Sequence, residues 1–327
     1  MGENTSPTSS TDALRGEEAV NGDIVRPLPL TPVRINHEAG EAIHNIRCSA
    51  DLQLFGMEQW AVDRTFRDYL FTIGACLDER LTTISELARS DQIRPFSEIV
   101  LAEGDRPAPV EDRSLRIGVY PLAANPLHWG HILVGLTVMA SMSLDKVVLL
   151  IAGADGRKPS MLSADARHRL GRSTIETFRP LFAYSPLALG TDLDGETNFG
   201  RLLSLNSRQR MEAFYIAGAD HYRRTTARGE PDTIQKLERV VEAQEKAGGT
   251  PHTISAVFLD REGIERKRGQ VTTCLKVHVL PPVPLSFSST AARQALCKET
   301  FSEALVSLPY AYFLGIRAAG LYVGKGE

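Results

Sequence analysis

Cysteine is scarce in this chain: four in 327 residues, at positions 48, 76, 274 and 297, with no CxxC pair and no Cys/His cluster. That argues against a disulfide framework and a structural zinc site, and it suits a reducing, cytoplasmic compartment. Long hydrophobic runs are missing as well. Val147–Ala154 has the length of a buried strand, far short of the ~20 residues that span a bilayer. Nor does charge of one sign dominate, since 37 Lys and Arg against 40 Asp and Glu leave a formal net charge of −3. A general nucleic-acid-coating surface is thereby disfavoured, while a local phosphate site is not. The polar N-terminus has no basic segment followed by an apolar stretch, so no signal peptide is expected. Hydrophobic residues at 43% and charged residues at 24% are the proportions of a folded soluble protein, without membrane or nucleic-acid partners in view.

Three regions differ in pattern. Residues 1–34 are rich in Ser, Thr, Pro, Gly and acidic residues without periodicity and read as a disordered tail. Residues 35–110 read as a helical extension. Within it Trp60, Phe66, Leu70, Ile73, Leu77, Leu81 and Ile84 recur at mostly three- or four-residue spacing, the stripe of one or two amphipathic helices. The Pro-containing GDRPAPVED segment (104–112) leads into the third region, 111–327. There short apolar runs alternate with helical patterns. Strands are expected at Leu115–Tyr120, Lys146–Ile151, Ala213–Gly218, Ser255–Leu259 and Leu275–Leu280. Helices are expected at His131–Ser143, from a Ser163 cap to about Phe178, and at Thr233–Ala247. This alternation predicts an α/β fold with a Rossmann-like parallel sheet carrying an N-terminal, mainly helical extension.

Two segments carry chemistry. In Ile117-Gly-Val-Tyr-Pro-Leu-Ala-Ala-Asn-Pro-Leu-His-Trp-Gly-His131 a strand runs through a Pro-containing turn into a helix. Helix N-termini at the carboxyl ends of parallel strands attract anions. His128 and His131 can both face one phosphate there, and Gly130 allows close approach. In Leu285-Ser-Phe-Ser-Ser-Thr-Ala-Ala-Arg293, the hydroxyls of Ser288, Ser289 and Thr290 cap a helix, and Arg293 sits one turn in. Hydroxyls, helix N–H groups and a guanidinium together make a polyphosphate cradle.

HxGH followed by SSTxxR resembles the nucleotidyltransferase superfamily, and within it the nicotinate or nicotinamide mononucleotide adenylyltransferases. Arg157-Lys158-Pro159 is similar to that family's basic loop, Ile216-Ala-Gly-Ala-Asp220 to its strand-ending motif, and Leu308–Tyr322 to its terminal helix. The likeness runs from about residue 115 to 323. It departs where Pro121-Leu122 replaces a Gly-Gly, Ala124 a Phe and Asn125 an Asp.

The resemblance implies transfer of AMP from ATP, carried with Mg²⁺, to a mononucleotide phosphate, with pyrophosphate leaving. His128, His131 and Arg293 would be catalytic; Tyr120, Ala123, Gly130, Lys158, Gly218, Asp220, Ser288, Ser289 and Thr290 would bind nucleotide. No protein metal-ligand set is expected. Alternatives are the same transfer to another small phosphate acceptor, with CTP as a further donor, or a non-catalytic nucleotide sensor; self-association is compatible with each. Thr197-Asn198-Phe199 falls where the family places a loop meeting the acceptor base. From the residues alone, Asp192, Asp194 and Glu196 read as a solvated turn, His168 as structural, Trp129 as core or a stacking ring, and Tyr222–Arg224 and Arg261–Arg268 as surface loops.

Overall fold

The computed structural model describes residues 32–58, 64–154, 161–248, 252–260, 273–300, 304 and 306–322. Six strands form one parallel sheet: β1 (Leu115–Leu122), β2 (Lys146–Ile151), β3 (Phe182–Ser185), β4 (Met211–Gly218), β5 (Thr253–Leu259) and β6 (Lys276–Leu280), in the order β3-β2-β1-β4-β5-β6. The order reverses between β1 and β4, and this opens a crevice beyond their carboxyl ends. Central β2, all apolar after Lys146 and buried over its last five residues, is the continuous run that a strand covered on both faces requires.

Helices cover both faces. On one side lie α1 (Pro32–Glu58), α2 (Arg64–Arg89), α3 (Trp129–Met142), α4 (Ala164–Glu176), α7 (Ser289–Cys297) and α8 (Tyr310–Ala318); on the other lie α5 (Gly195–Leu205) and α6 (Thr233–Ala247). The apolar stripe of α2 packs inward through Leu70, Ile73, Leu77, Leu81 and Ile84, with Phe66 partly buried, while Trp60 lies outside the described residues. These side chains share one cluster with Leu133, Leu136 and Phe182, and Arg80 Nε donates 2.8 Å to Thr137 Oγ1 on α3. The coil after α2 is fastened at the other end of the sheet, where buried Asp145 accepts from Arg94 N at 2.6 Å and Arg116 N at 2.8 Å and pairs with Arg113.

Local signals explain most boundaries. Ser163 Oγ accepts from Ala166 N to start α4, and Asp165 sits in the first turn, where the helix dipole favours it. Gly248, at φ +65°, follows the last residue of α6. Helix α1 begins at Pro32, inside the segment read as a tail, and one strand and one α-helix of the 111–327 region were not expected. Four-residue β3 is too short to show a period. Helix α5 begins inside the segment read as a solvated turn, because Asp194 is its N-cap, accepting from Thr197 N at 2.8 Å.

Close packing of α3 on the sheet depends on Gly135, where a Cβ would fall 2.5 Å from the fully buried Phe182 ring. Gly135→Val is expected to lower unfolding stability by ~2–3 kcal/mol through overpacking. A urea-unfolding midpoint equal to wild type would contradict that packing.

Candidate active site

The turn between β1 and α3 presents four successive carbonyls, and each is taken by a different side chain. Arg167 Nη1 donates to Ala123 O (2.7 Å), the Tyr312 hydroxyl to Ala124 O (3.3 Å), Arg293 Nη1 to Asn125 O (2.8 Å) and Ser289 Oγ to Pro126 O (3.4 Å). The Asn125 side chain is held as well, its Oδ1 accepting from Tyr322 Oη at 2.7 Å and Leu162 N at 3.2 Å. Arg167, 1% exposed, also donates to Leu162 O, Ala152 O and Gly153 O, joining the end of β2 and the start of α4 to the turn. A buried guanidinium serving four carbonyls satisfies groups that would otherwise lie unpaired. With those carbonyls engaged, acceptor oxygens of the turn are withheld from an anion at the start of α3.

His128 is the N-cap of α3 in extended conformation. Its N–H donates 3.1 Å to His131 Nδ1, and the two rings stack at 3.7 Å between centroids. Because Nδ1 of His131 accepts, the proton of the neutral ring lies on Nε2, which makes that atom a donor. Across the crevice α7 starts at its cap Ser288, whose Oγ accepts from Ala291 N at 3.2 Å. Phe287 stacks on His128 at 5.8 Å and lies over Gly130, where a Cβ would come 2.8 Å from the Phe287 ring. Only glycine fits there. The two helix starts line a cavity of about 460 Å³ with Tyr120, His128, Gly130, His131, Gly218 and Ser288–Thr290 on its walls.

A second cavity, about 920 Å³, lies on the other side of Tyr120, His131, Ala217 and Gly218 and includes Ala123. Its far wall is the start of α5. The segment read as a solvated turn is here partly interior: Glu196 is buried and accepts from Thr233 Oγ1 at 2.8 Å, while Asp194 pairs with Lys236 at 2.8 Å; Asp192 alone of the three is exposed. Burial would push the Asp194 carboxyl up, but the Lys236 and Thr197 hydrogen bonds prevail and hold it below its ordinary value. Burial, reinforced by Glu196, pushes the Tyr215 hydroxyl well above its usual range. Pro121, standing where the resemblance has glycine, packs against Gly195, where a Cβ would fall 2.6 Å from its own Cβ.

Other expected site residues fall elsewhere. Arg293 points its guanidinium at the turn and at Thr290 Oγ1 (3.2 Å), behind the cavity wall. Asp220, on the short 3-10 turn after β4, is 42% exposed beside His221. Lys158 lies outside the described residues, as does Arg261–Arg268. Trp129 is fully buried against Phe178, a core residue. His168 is structural: Nε2 donates to Ala152 O (3.3 Å), Nδ1 accepts from the Tyr184 hydroxyl (2.6 Å), and burial lowers its pKa. Arg223 and Arg224 pair with Asp232 and Glu238. Sequence reasoning missed Arg167, which stands among other charged and polar residues (Asp165, His168, Arg169) with nothing to single it out, and Lys236, which read as one charge among many on α6.

No protein-family model matches the chain. Over 115 residues it is 25% identical to a protein of Thermoanaerobacter sp. (strain X514) named probable nicotinate-nucleotide adenylyltransferase. Over 113 residues it is 28% identical to one so named from Thermus thermophilus. Each match spans 33% of this chain, and 53% and 58% of the respective relative, so the chain spans little more than half the length of the curated relatives it matches. In fold it is similar to the Plasmodium falciparum nicotinic acid mononucleotide adenylyltransferase complexed with NaAD, with a TM-score of 0.50 at 15% identity over 64% of this chain and 97% of that one.

Removing the clamp tests how much the turn depends on it. Arg167→Met leaves four carbonyls without their donor, and a loss of at least ~3 kcal/mol is expected in urea unfolding. Stability within ~0.5 kcal/mol of wild type, a typical surface-substitution effect, would contradict the clamp.

Proposed function

We propose that the chain joins the AMP part of ATP to nicotinate or nicotinamide mononucleotide and releases pyrophosphate. The observation that carries this reading is the convergence of two helix starts, one dressed with imidazoles and one with hydroxyls, on a single cavity where the strand order reverses. A second cavity meets the first at His131, which supplies room for donor and acceptor on either side of one histidine. The two relatives named for this activity support it.

Charge accounting gives the mechanism. An oxygen of the acceptor phosphate attacks the α-phosphorus of ATP in line; the new O–P bond forms as the bond to the α,β-bridging oxygen breaks, and that electron pair leaves with pyrophosphate. The nucleophile is already an anion, so no general base is required, and the rate comes from positioning and charge stabilisation. His131 donates from Nε2, and with His128 it binds α- and β-phosphate oxygens as negative charge builds on them. At the start of α7, Ser288 and Thr290 hold the β- and γ-phosphates together with the backbone N–H of Ser289, whose hydroxyl proton goes to Pro126 O, and Lys158 adds positive charge. Arg293 adds its charge from behind the wall while keeping the turn in place. Tyr120 and Gly218 line the passage between the cavities.

Among the described residues lining the smaller cavity, Asp260 is the one carboxylate. That donor set fits a Mg²⁺ ion held mainly by phosphate oxygens and water. Bound there, the ion would neutralise triphosphate charge. A second reading, the same transfer to a different phosphate acceptor, is favoured by the Pro121–Gly195 contact and the acidic far wall of the larger cavity.

Purified protein given ATP, Mg²⁺ and each mononucleotide is expected to release pyrophosphate. His131→Ala should lower kcat about a hundredfold, ~3 kcal/mol, with the fold intact by thermal melting. Near wild-type turnover in His131→Ala would overturn the assignment.

A further inference from the structure

Helix α2 lies outside the stretch whose motifs carry the resemblance, yet it contacts the loop that lines the smaller cavity. The Tyr69 hydroxyl donates 2.8 Å to the carbonyl of Ser286, and its ring meets Phe287 edge-on with centroids 5.8 Å apart. Phe287 in turn stacks on His128 and packs over Gly130. Ser286 and Phe287 both line the cavity. The loop that carries them runs from 281 to 288 and includes Pro281, Pro282 and Pro284, which have no N–H to donate. Among the described residues, the backbone bond inside it is Leu285 N to Val283 O, at 2.8 Å. Such a loop has little of its own to hold it, so fixation from outside matters.

Burial pushes the Tyr69 hydroxyl up to about 12, so its donor proton is retained through the neutral range. Tyr69 and Phe287 both pack against the apolar cluster, and through Phe287 the same contact continues to His128 and to the residues that open α7.

We propose that Tyr69 is a positioning residue for the nucleotide donor: by holding Ser286 and bracing Phe287 it fixes the wall on which the triphosphate rests. The helical extension is thereby part of the active site. The inference takes its ligand, ATP, from the adenylyl-transfer reading above.

The test is calorimetric ATP binding to the full chain, without acceptor, for wild type, Tyr69→Phe, Tyr69→Ala and Leu77→Ala, with turnover measured in parallel. Tyr69→Phe keeps the ring and loses one hydrogen bond, so ATP should bind about three- to tenfold more weakly. Tyr69→Ala also loses the ring contact and should weaken binding on the order of thirtyfold. The acceptor KM should stay unchanged in both. Leu77→Ala removes a buried side chain of the same helix away from the loop and should lower Tm without weakening ATP.

The proposal is overturned if Tyr69→Phe and Tyr69→Ala both bind ATP within about twofold of wild type, or if Leu77→Ala weakens ATP as much as Tyr69→Ala does. Should Tyr69→Ala fail to fold, Tyr69→Phe decides alone. A wild-type chain that binds ATP but releases no pyrophosphate with either mononucleotide contradicts the function reading only, because the affinity order across the Tyr69 variants still decides this one. A chain that binds no ATP overturns both.

Discussion

The constraint on which the rest depends is the disposal of backbone carbonyls in the turn between β1 and α3. A site for polyphosphate must offer donors and keep acceptor oxygens away. Here the carbonyls of residues 123, 124, 125 and 126 are claimed by Arg167, Tyr312, Arg293 and Ser289, from α4, α8 and α7. Asn125 adds a side-chain oxygen that receives Tyr322. These three helices are therefore not mere cover. They turn the acceptor side of the motif inward and leave the start of α3, with its two stacked imidazoles, toward the crevice.

How much of this was legible in the sequence varies with the range of the interaction. Strand Lys146–Ile151 and helix Thr233–Ala247 were readable to the residue, because a buried parallel strand and a Gly-stopped amphipathic helix announce themselves locally. HxGH and SSTxxR were readable because residues of unusual chemistry sit at strand-to-helix junctions, and the structure brings His128, His131 and Ser288–Thr290 to one cavity, with Arg293 turned away behind its wall. The four residues of β3 carry no period, and α5 was concealed by an acidic, Gly-containing start that is equally the signature of a turn. Arg167 and Tyr69 were invisible for a different reason. Their partners lie 44 and 217 residues away, and nothing local distinguishes a guanidinium that closes a backbone network from one that faces water.

Where the chain departs from the pattern it resembles, at Pro121, the structure shows what the change packs against. Pro121 occupies space that a glycine would leave open, and Gly195 at the start of α5 yields it. The same helix start brings Asp194 and buried Glu196 to the cavity wall opposite His131, with Lys236 as their counter-charge. The smaller cavity thus keeps the imidazoles and hydroxyls on which the resemblance rests, while the larger one has that proline, those two carboxylates and the lysine in its wall.

In the proposed function, two segments far apart in the chain, HxGH and SSTxxR, make a single triphosphate site. A crystal structure with a non-hydrolysable ATP analogue and Mg²⁺ tests it most directly. Phosphate oxygens are expected within hydrogen-bond distance of His131 Nε2 and of the Ser288–Thr290 hydroxyls or amides at the start of α7. An analogue bound with its phosphates at only one of these helix starts, or away from both, would contradict it.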